Sequence, residues 1–228
     1  MVALHLVNRP NKRRQLAEQV SELTTNRLSV YLRCLNELDA AGVQTISSQA
    51  LAEQFQLNAA QIRKDLAYFG EFGVRGVGYY VKELRRHLRQ ILGLDRRLRV
   101  VIMGAGNLGL ALADYPGFRQ EGFDIAALFD TANEKIGHGS RCGVPIYDIH
   151  DLKRLARRER YDIAVIAVPA PHAQPVVDQV IEAGIKAILN FSPGALKVPR
   201  EVKLKSVDLT VSLESLSFYM AQGDEDGG

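Results

Sequence analysis

The chain has 228 residues, 46% of them hydrophobic, and a formal net charge of +3, which allows one large or two small domains with a core. No apolar run approaches the roughly 20 residues that span a bilayer, and residues 1–14 lack the apolar core and cleavage site of a signal peptide. Cys34 and Cys142 are far apart and without metal-ligand spacing, so we expect a reducing, cytoplasmic location, no disulfide framework and no metal site.

The charge is divided unevenly along the chain. Residues 1–99 hold 16 Lys and Arg against 9 Asp and Glu, a net +7, whereas residues 100–228 hold 13 against 17, a net −4. A basic first half suggests a polyanionic partner for that half, although a solvated charged surface would have the same composition. Residues 1–23 are polar and basic and are expected to form a flexible basic arm.

Three helical patterns follow, in the layout of a helix-turn-helix. Thr25 can cap the first helix, and Ser47 and Ser48 can cap a short second one. Asn58 can cap a third helix over residues 59–69, with apolar residues on one face and polar and basic residues on the other. In this layout the third helix is offered to the major groove of DNA.

A glycine-rich, β-prone segment, residues 70–80, follows the third helix and is typical of a wing. Its glycines allow a tight hairpin, and Arg75 near the tip can reach phosphates or a minor groove. Isolated basic side chains would be interpreted as surface charge, but a basic third helix followed by a basic wing favours DNA contact. The predicted DNA-binding residues are Ser47, Ser48, Gln61, Arg63, Lys64, Tyr68, Arg75 and Gly76.

A glycine pattern, Gly104-Ala-Gly106-Asn-Leu-Gly109, lies between a predicted strand and a predicted helix. In a dinucleotide-binding unit the three glycines allow a tight turn, close approach of the backbone to a pyrophosphate, and close packing of helix on strand. Asp130 ends the next apolar run about twenty residues later, where the ribose-binding acid belongs. A carboxylate there favours NAD(H) over NADP(H), although an unliganded turn and a solvated loop acid are the alternative interpretations.

Strands and helices alternate from residue 94 onward, which is typical of an α/β doubly wound parallel sheet, the Rossmann fold. Ligands bind such sheets outside the carboxyl ends of the strands. The glycine turn and the ends of the other strands therefore give the predicted cofactor-binding residues Gly104, Ala105, Gly106, Asn107, Leu108, Gly109, Asp130, Val168, Pro169, Asn190, Ser192 and Pro193.

Several motifs occur together between about residue 24 and residue 220. They are Gln61-Ile-Arg-Lys-Asp-Leu-Ala-Tyr-Phe-Gly70, Gly73-Val-Arg-Gly-Val-Gly-Tyr79, Gly104-Ala-Gly-Asn-Leu-Gly109, Ala113-Asp-Tyr-Pro-Gly-Phe118, Phe129-Asp130, Gly184-Ile-Lys-Ala-Ile-Leu-Asn-Phe191 and Val207-Asp208. In these motifs and their order the sequence resembles the Rex family of redox-sensing transcriptional repressors. The recognition-helix and wing motifs are specific, whereas many families share the glycine pattern.

The resemblance implies a homodimer whose last helix swaps into the partner, between its two domains. It implies repression at an inverted-repeat operator, with NADH lowering the affinity for DNA and NAD+ competing poorly or favouring the DNA-bound form. NADH and NAD+ would then be regulatory ligands, and the chain would not be an enzyme and would have no catalytic residue. The same match implies that Tyr115, and Asp208 of the partner subunit, approach the nicotinamide. Arg33 would be the carboxylate's partner in the NADH-bound state, so Arg33, Tyr115 and Asp208 are the predicted coupling residues.

With the resemblance, the sequence divides into four parts. We expect the flexible basic arm over residues 1–23 and a winged-helix DNA-binding domain over residues 24–93. A Rossmann NAD(H)-binding domain would cover residues 94–211. Residues 212–228 would form a C-terminal dimerisation helix, capped by Ser212, and an acidic tail.

Two other classes of protein remain open from the residues themselves. An NAD-dependent dehydrogenase with an accessory domain would need an acid or base near the nicotinamide. His172 follows a strand end, but a loop histidine in solvent explains it at least as well, and the chain beyond the sheet is too short for a substrate domain. A ligase-type CoA-binding domain would share the sheet and the glycine turn, and Asp130 argues against it.

Overall fold

The computed structural model describes residues 20–223, so residues 1–19 of the predicted arm and the acidic end of the tail lie outside the described residues. The chain divides into two compact units between Arg96 and Arg97, three residues beyond the boundary indicated by the sequence. Over the described range, no helix combines the length and the apolar character that crossing a membrane requires. Nor do three or more His, Cys, Asp or Glu side chains of this range lie together in a metal-binding arrangement.

The N-terminal unit confirms the predicted winged helix. Its sheet is antiparallel, with strands in the order β1-β3-β2, and a buried core of mainly leucine side chains joins it to the helices. Between residues 20 and 96 its elements are α1 (Glu22–Ala40), β1 (Thr45–Ile46), α2 (Ser48–Phe55), α3 (Ala59–Phe69), β2 (Gly73–Val74), β3 (Gly78–Tyr80) and α4 (Val81–Ile91).

The predicted caps Ser47 of α2 and Asn58 of α3 are confirmed, whereas Ser48 is the first residue of α2 and not its cap, and Thr25 as the cap of α1 is wrong. Ser47 accepts a hydrogen bond from the Ala50 amide, and Asn58 caps α3. Helix α1 begins three residues before Thr25, because the hydroxyl of Ser21 accepts from the Thr24 amide at 3.2 Å. The Thr25 hydroxyl instead donates to the Glu22 carbonyl inside the helix, so it cannot act as a cap. The predicted arm therefore does not extend to residue 23.

Strands β2 and β3 form the predicted wing, a hairpin whose turn carries Arg75. The Val77 amide donates to the Val74 carbonyl at 3.0 Å. Gly76 has a φ of +81°, a backbone conformation in which a residue with a side chain would be strained. Gly78 is required for a second reason, since a Cβ there would meet the Ile46 carbonyl oxygen at 2.5 Å. The wing is therefore held directly against β1.

The C-terminal unit confirms the predicted doubly wound sheet. All six strands are parallel, in the order β6-β5-β4-β7-β8-β9, and buried apolar clusters cover both faces. From β4 the chain continues to β5 and β6 on one side of the sheet, and then to β7, β8 and β9 on the other side. In such folds ligands bind between the two strands at which the direction changes, here β4 and β7. Its elements are β4 (Leu98–Met103), α5 (Asn107–Ala113), α6 (Pro116–Gln120), β5 (Phe123–Asp130), β6 (Ile146–Asp148), α7 (Leu152–Glu159), β7 (Ile163–Ile166), α8 (Ala170–Glu182), β8 (Ala187–Asn190), β9 (Lys203–Ser206) and α9 (Leu209–Gly223).

One helix boundary in this unit differs from the sequence expectation. Pro116 occupies the first position of α6, which needs no amide hydrogen, and α8 begins at Ala170 directly after Pro169. Helix α9 begins at Leu209 and not after Ser212, because the Asp208 carboxylate accepts from the Thr210 amide at 2.9 Å.

Helix α9 is exposed over residues 209–221. Its large apolar side chains are between 60% and 73% exposed, namely Leu209, Val211, Leu213, Leu216, Phe218, Tyr219 and Met220. Exposed large apolar side chains in this number on one helix mark an interaction site.

Candidate functional site

The turn between β4 and α5 is built around two glycines that cannot carry a side chain. Gly104 has a φ of +105°, and a Cβ there would meet the Ala167 carbonyl oxygen at 2.5 Å. A Cβ on Gly109 would lie inside the contact distance of the Gly104 carbonyl oxygen. These two positions let α5 pack against the strands, as the glycine pattern predicts.

Gly106 has a different role. Its φ of −82° is open to any residue, and a Cβ there would meet nothing within 4 Å. Asn107 and Leu108 beside it are exposed, whereas Ala105 is buried. The absent side chain at Gly106 therefore leaves open space in front of the first amides of α5, which suits a phosphate group.

The carboxylate of Asp130 lies under the glycine turn and accepts four hydrogen bonds. Oδ2 accepts from the Ala105 amide at 2.7 Å and from Lys135 Nζ at 3.2 Å, and Oδ1 accepts from the Thr131 and Ala132 amides at 2.8 and 2.9 Å. Burial opposes ionisation of Asp130, but the amides of Ala132 and Ala105 and the ammonium of Lys135 outweigh it and hold the pKa of this carboxyl below its usual value. The Asp130 bonds thus stabilise the fold above about pH 4 and are lost as the pH falls further.

Asp130 therefore stabilises the glycine turn between β4 and α5 through its bond from the Ala105 amide, and it also faces the crevice at the carboxyl ends of the strands. Its four acceptor positions are all occupied, so a ribose hydroxyl that bound here would have to replace one donor. Lys135 makes the longest of the four bonds and is the only donor on a flexible side chain. It is the donor that a ribose would displace.

Replacing Asp130 by Asn is expected to weaken NADH binding about 10- to 100-fold, because a charged acceptor is lost and the new amide faces N–H donors. NADPH binding should weaken less, since repulsion of its 2′-phosphate is also removed. Both affinities can be measured by nucleotide fluorescence. Asp148→Asn is the matched control, because Asp148 lies opposite Asp130 in the parallel pair of β5 and β6. An unchanged ratio of the two affinities in Asp130→Asn would contradict the ribose assignment.

A cavity of about 490 Å³ opens at the carboxyl ends of β4, β5 and β7. This volume is in the range of small-molecule sites. Of the predicted cofactor-binding residues, five line it: Gly104, Gly106, Asp130, Val168 and Pro169. Other residues of the lining were not predicted from the sequence, among them Thr131, Lys135, Ile149, His150, Pro175 and Gln179. Lys135 lies in a polar loop five residues after Asp130, and this nearness to Asp130 is the sequence signal that could have placed Lys135 at the cavity.

The three predicted residues at and just after the end of β8 have unequal roles. Asn190 is fully buried, and its side chain bonds to the amide and carbonyl of Ser192 and to the Ser206 hydroxyl. It shapes the turn rather than offering a free group. The Ser192 hydroxyl is buried without a hydrogen-bond partner in the described range, and Pro193 is exposed. An orphaned hydroxyl at this end of the sheet fits a polar ligand group.

The predicted coupling residues are all exposed. The Tyr115 ring is 58% exposed, stands edge-on to Phe118 and lines a separate cavity of about 340 Å³. Asp208 caps α9, and Arg33 lies on the outer side of α1. Arg33 belongs to the N-terminal unit, and Tyr115 and Asp208 belong to the C-terminal unit.

Of the predicted DNA-binding residues of α2 and α3, Arg63, Lys64 and Tyr68 are exposed, whereas Ser48 and Gln61 are partly buried. Arg63 and Lys64 are exposed on α3, and Arg63 Nη1 donates to the Ser48 hydroxyl at 2.9 Å. Ser47 is committed to capping α2. Lys64 has neither an ion pair nor a hydrogen bond in the described part of the chain. The third helix therefore presents cations to solvent, which suits contact with phosphates.

The remaining predicted contacts flank these cations. Arg75 is exposed at the wing turn beside Gly76, and the Tyr68 ring is 48% exposed. Gln61 is partly buried and its amide donates to Asp65, so part of its hydrogen-bonding capacity is already used.

Two family models match the chain. One described as "CoA binding domain" matches residues 95–194, and one of a DNA-binding protein N-terminus matches residues 19–67. The former covers the glycine turn and most of the parallel sheet, and the latter covers α1 to most of α3.

Several named proteins are similar over most of the chain. The redox-sensing transcriptional repressor Rex of Desulfitobacterium hafniense is 50% identical over 200 residues, which are 88% of this chain and 95% of that protein. The protein of the same name from Syntrophomonas wolfei is 50% identical over 203 residues, 89% of this chain and 96% of that protein.

Solved structures are similar as well. RSP in complex with β-NAD+ and operator DNA superposes with a TM-score of 0.85 at 40% identity, covering 90% of this chain and 94% of that one. RSP in complex with β-NADH gives a TM-score of 0.79 at 39% identity, covering 90% and 96%.

Proposed function

Because the chain belongs to the Rex family of redox-sensing transcriptional repressors, we propose that it binds inverted-repeat operator DNA and releases it when NADH binds. The observation that carries the proposal is the presence, in one chain, of a winged helix with exposed cations and a crevice whose glycine turn leaves room for a pyrophosphate. The protein would thereby respond to the ratio of NADH to NAD+.

The dehydrogenase and the ligase-type CoA-binding domain are less well supported. The relatives that match most of the chain are named repressors, which does not favour a dehydrogenase. The model described as CoA binding covers only residues 95–194, a sheet and turn that nucleotide-binding domains share. A cytoplasmic location agrees with a DNA-binding regulator and with free cysteines at positions 34 and 142.

Three parts of the N-terminal unit would hold DNA. Helix α3 would enter the major groove, with Arg63 and Lys64 near the backbone and Gln61 near the base edges. Arg75 on the wing would contact phosphate or the minor groove. Ser47 and Ser48 at the start of α2 would add contacts to the backbone.

The C-terminal unit would bind the nucleotide. The turn at Gly106 would hold the pyrophosphate and Asp130 the adenine-side ribose. The nicotinamide would lie toward Val168, Pro169 and Ser192. It is the part of the nucleotide whose charge and shape differ between NAD+ and NADH.

NADH can change DNA affinity only through unequal affinity for two quaternary states. A change of about 100-fold requires about 2.7 kcal/mol of coupling, and DNA must change NADH affinity by the same factor. An ion pair between Arg33 and Asp208 of the partner subunit, made in one state and broken in the other, could supply it. Tyr115 would lie near this pair.

Replacing Asp208 by Ala is expected to leave DNA affinity intact and to reduce its response to NADH at least several-fold, because the charge that differs between the two states is gone. Asp208→Asn is the matched variant, since its side-chain oxygen can still accept from the Thr210 amide at the start of α9. Both can be measured by mobility shift with and without NADH. A wild-type response in both variants would remove this pair from the mechanism.

The proposed function is tested by selecting duplexes from a random-sequence pool. We expect an inverted repeat with half-sites about one helical turn, or a multiple of it, apart. No enrichment, with NADH still bound, would contradict a DNA-binding repressor.

A further inference from the structure

A buried carboxylate on α3 joins that helix to α1. Asp65 is only 4% exposed and accepts four hydrogen bonds. The Arg27 guanidinium donates to Oδ2 at 2.6 Å and to Oδ1 at 2.8 Å, and the Tyr31 hydroxyl donates to Oδ2 at 2.9 Å. The fourth donor is Gln61 Nε2, which reaches Oδ1 at 2.8 Å.

These bonds fill the acceptor positions of a charge that would otherwise be costly to bury. Arg27 and Tyr31 both lie on α1, so they fix where the carboxylate stands relative to both helices. Asp65 is thus a rigid acceptor, and Gln61, one helical turn before it on α3, is oriented by a group that cannot move freely.

Gln61 is the third residue of α3, a position from which a glutamine side chain commonly turns back to cap its own helix. Here Asn58 caps α3 by accepting from the Gln61 backbone amide, and the Gln61 side chain turns forward to Asp65. One N–H of its amide is used by Asp65, while the other N–H and the carbonyl oxygen remain for a second partner.

A primary amide with one donor and one acceptor free is the group that pairs with N7 and N6 of adenine in the major groove. The first residues of a recognition helix are those that contact base edges. We propose that Asp65 is a positioning residue that holds the Gln61 amide in the orientation that recognises an adenine of the operator, an inference that rests on the proposed DNA-binding function.

A purely structural role for Asp65 predicts a different result. Replacing Asp65 would then lower the stability of the protein and weaken its binding to every duplex alike. The positioning role predicts a loss at one base pair only, while the contacts to phosphates and therefore the dependence on salt stay the same.

The experiment uses the full chain and the duplex selected from the random pool, with each base pair of one half-site replaced in turn. Gln61→Ala should reduce discrimination at a single A·T pair by roughly 5- to 150-fold. Asp65→Ala, which removes both acceptor oxygens, should reduce discrimination at that same pair by a similar factor, with the slope of log affinity against log salt unchanged.

Tyr31→Phe is the matched control, because it removes another donor to Asp65 and leaves the bond from Gln61 in place. It should lower the melting temperature without changing discrimination. Uniform weakening across all duplexes in Asp65→Ala would overturn the proposal. Gln61→Ala with full discrimination at every pair would also overturn it, even if Asp65→Ala fails to fold. If the wild type binds no duplex specifically, the proposed function itself fails, which is a different result from either of these.

Discussion

Replacing Gly109 by alanine is expected to abolish NADH binding by disrupting the turn that the nucleotide needs. The added Cβ would collide with the carbonyl oxygen of Gly104, a backbone atom that cannot give way without moving the turn. The Gly104 amide and the neighbouring Ala105 amide are themselves bonded to β5, so the strain reaches the sheet. We expect a lower melting temperature for the nucleotide-binding unit and no saturable increase in NADH fluorescence.

Gly106 provides the control because it tests the same turn without the collision. Gly106→Leu places a side chain in open space at an unstrained φ, so the melting temperature should stay near that of the wild type. NADH binding should nevertheless be lost, since the side chain fills the volume in front of the first amides of α5. If Gly106→Leu binds NADH as the wild type does, the pyrophosphate is not held there. If Gly109→Ala does so, the turn is not constrained as described.

We expect the full chain to be a dimer, and a chain that ends after Asp208 to be a monomer whose affinity for the inverted repeat is lower by orders of magnitude. The truncation removes α9, whose large apolar side chains are 60% to 73% exposed in the single chain. Such a surface is normally covered by a partner, in agreement with the swapped helix that the family resemblance implies. Two linked winged helices bind a repeat far more tightly than one, because the second contact becomes intramolecular.

Sedimentation and mobility shift test this expectation. The truncated chain should sediment as a monomer and bind the whole repeat and a single half-site with equal affinity. A chain that ends after Gly223 keeps α9 and lacks only the acidic end, and it should remain dimeric. A dimer without α9 would show that the subunits associate through another surface.

The fold was largely predictable because its signals are local. The apolar face of α3, its cap at Asn58 and the wing glycines define the winged helix within residues 58–80. The glycine turn and the strands on either side of it define the start of the parallel sheet. The caps, the apolar periodicity and the spacing of the glycines can each be recognised within a short stretch of sequence.

The parts that were not predicted depend on contacts between distant residues or on competing caps. Arg27 and Asp65 are 38 residues apart, and nothing in either local pattern indicates that they pair. Asp130 could be assigned to a ribose from its position, but the Ala105 amide that it also binds lies 25 residues away across the sheet. Helices α1 and α9 begin earlier than expected because Ser21 and Asp208 compete successfully with Thr25 and Ser212 for the capping position.

The most direct test of the redox-sensing function is a titration of the protein bound to a fluorescently labelled inverted-repeat duplex, followed by anisotropy at fixed salt. NADH, NAD+ and NADPH are added separately. We expect NADH to release the duplex at a much lower concentration than NAD+ or NADPH. Tight, specific binding of the duplex that none of the three nucleotides changes would contradict coupling between the nucleotide crevice and the winged helix.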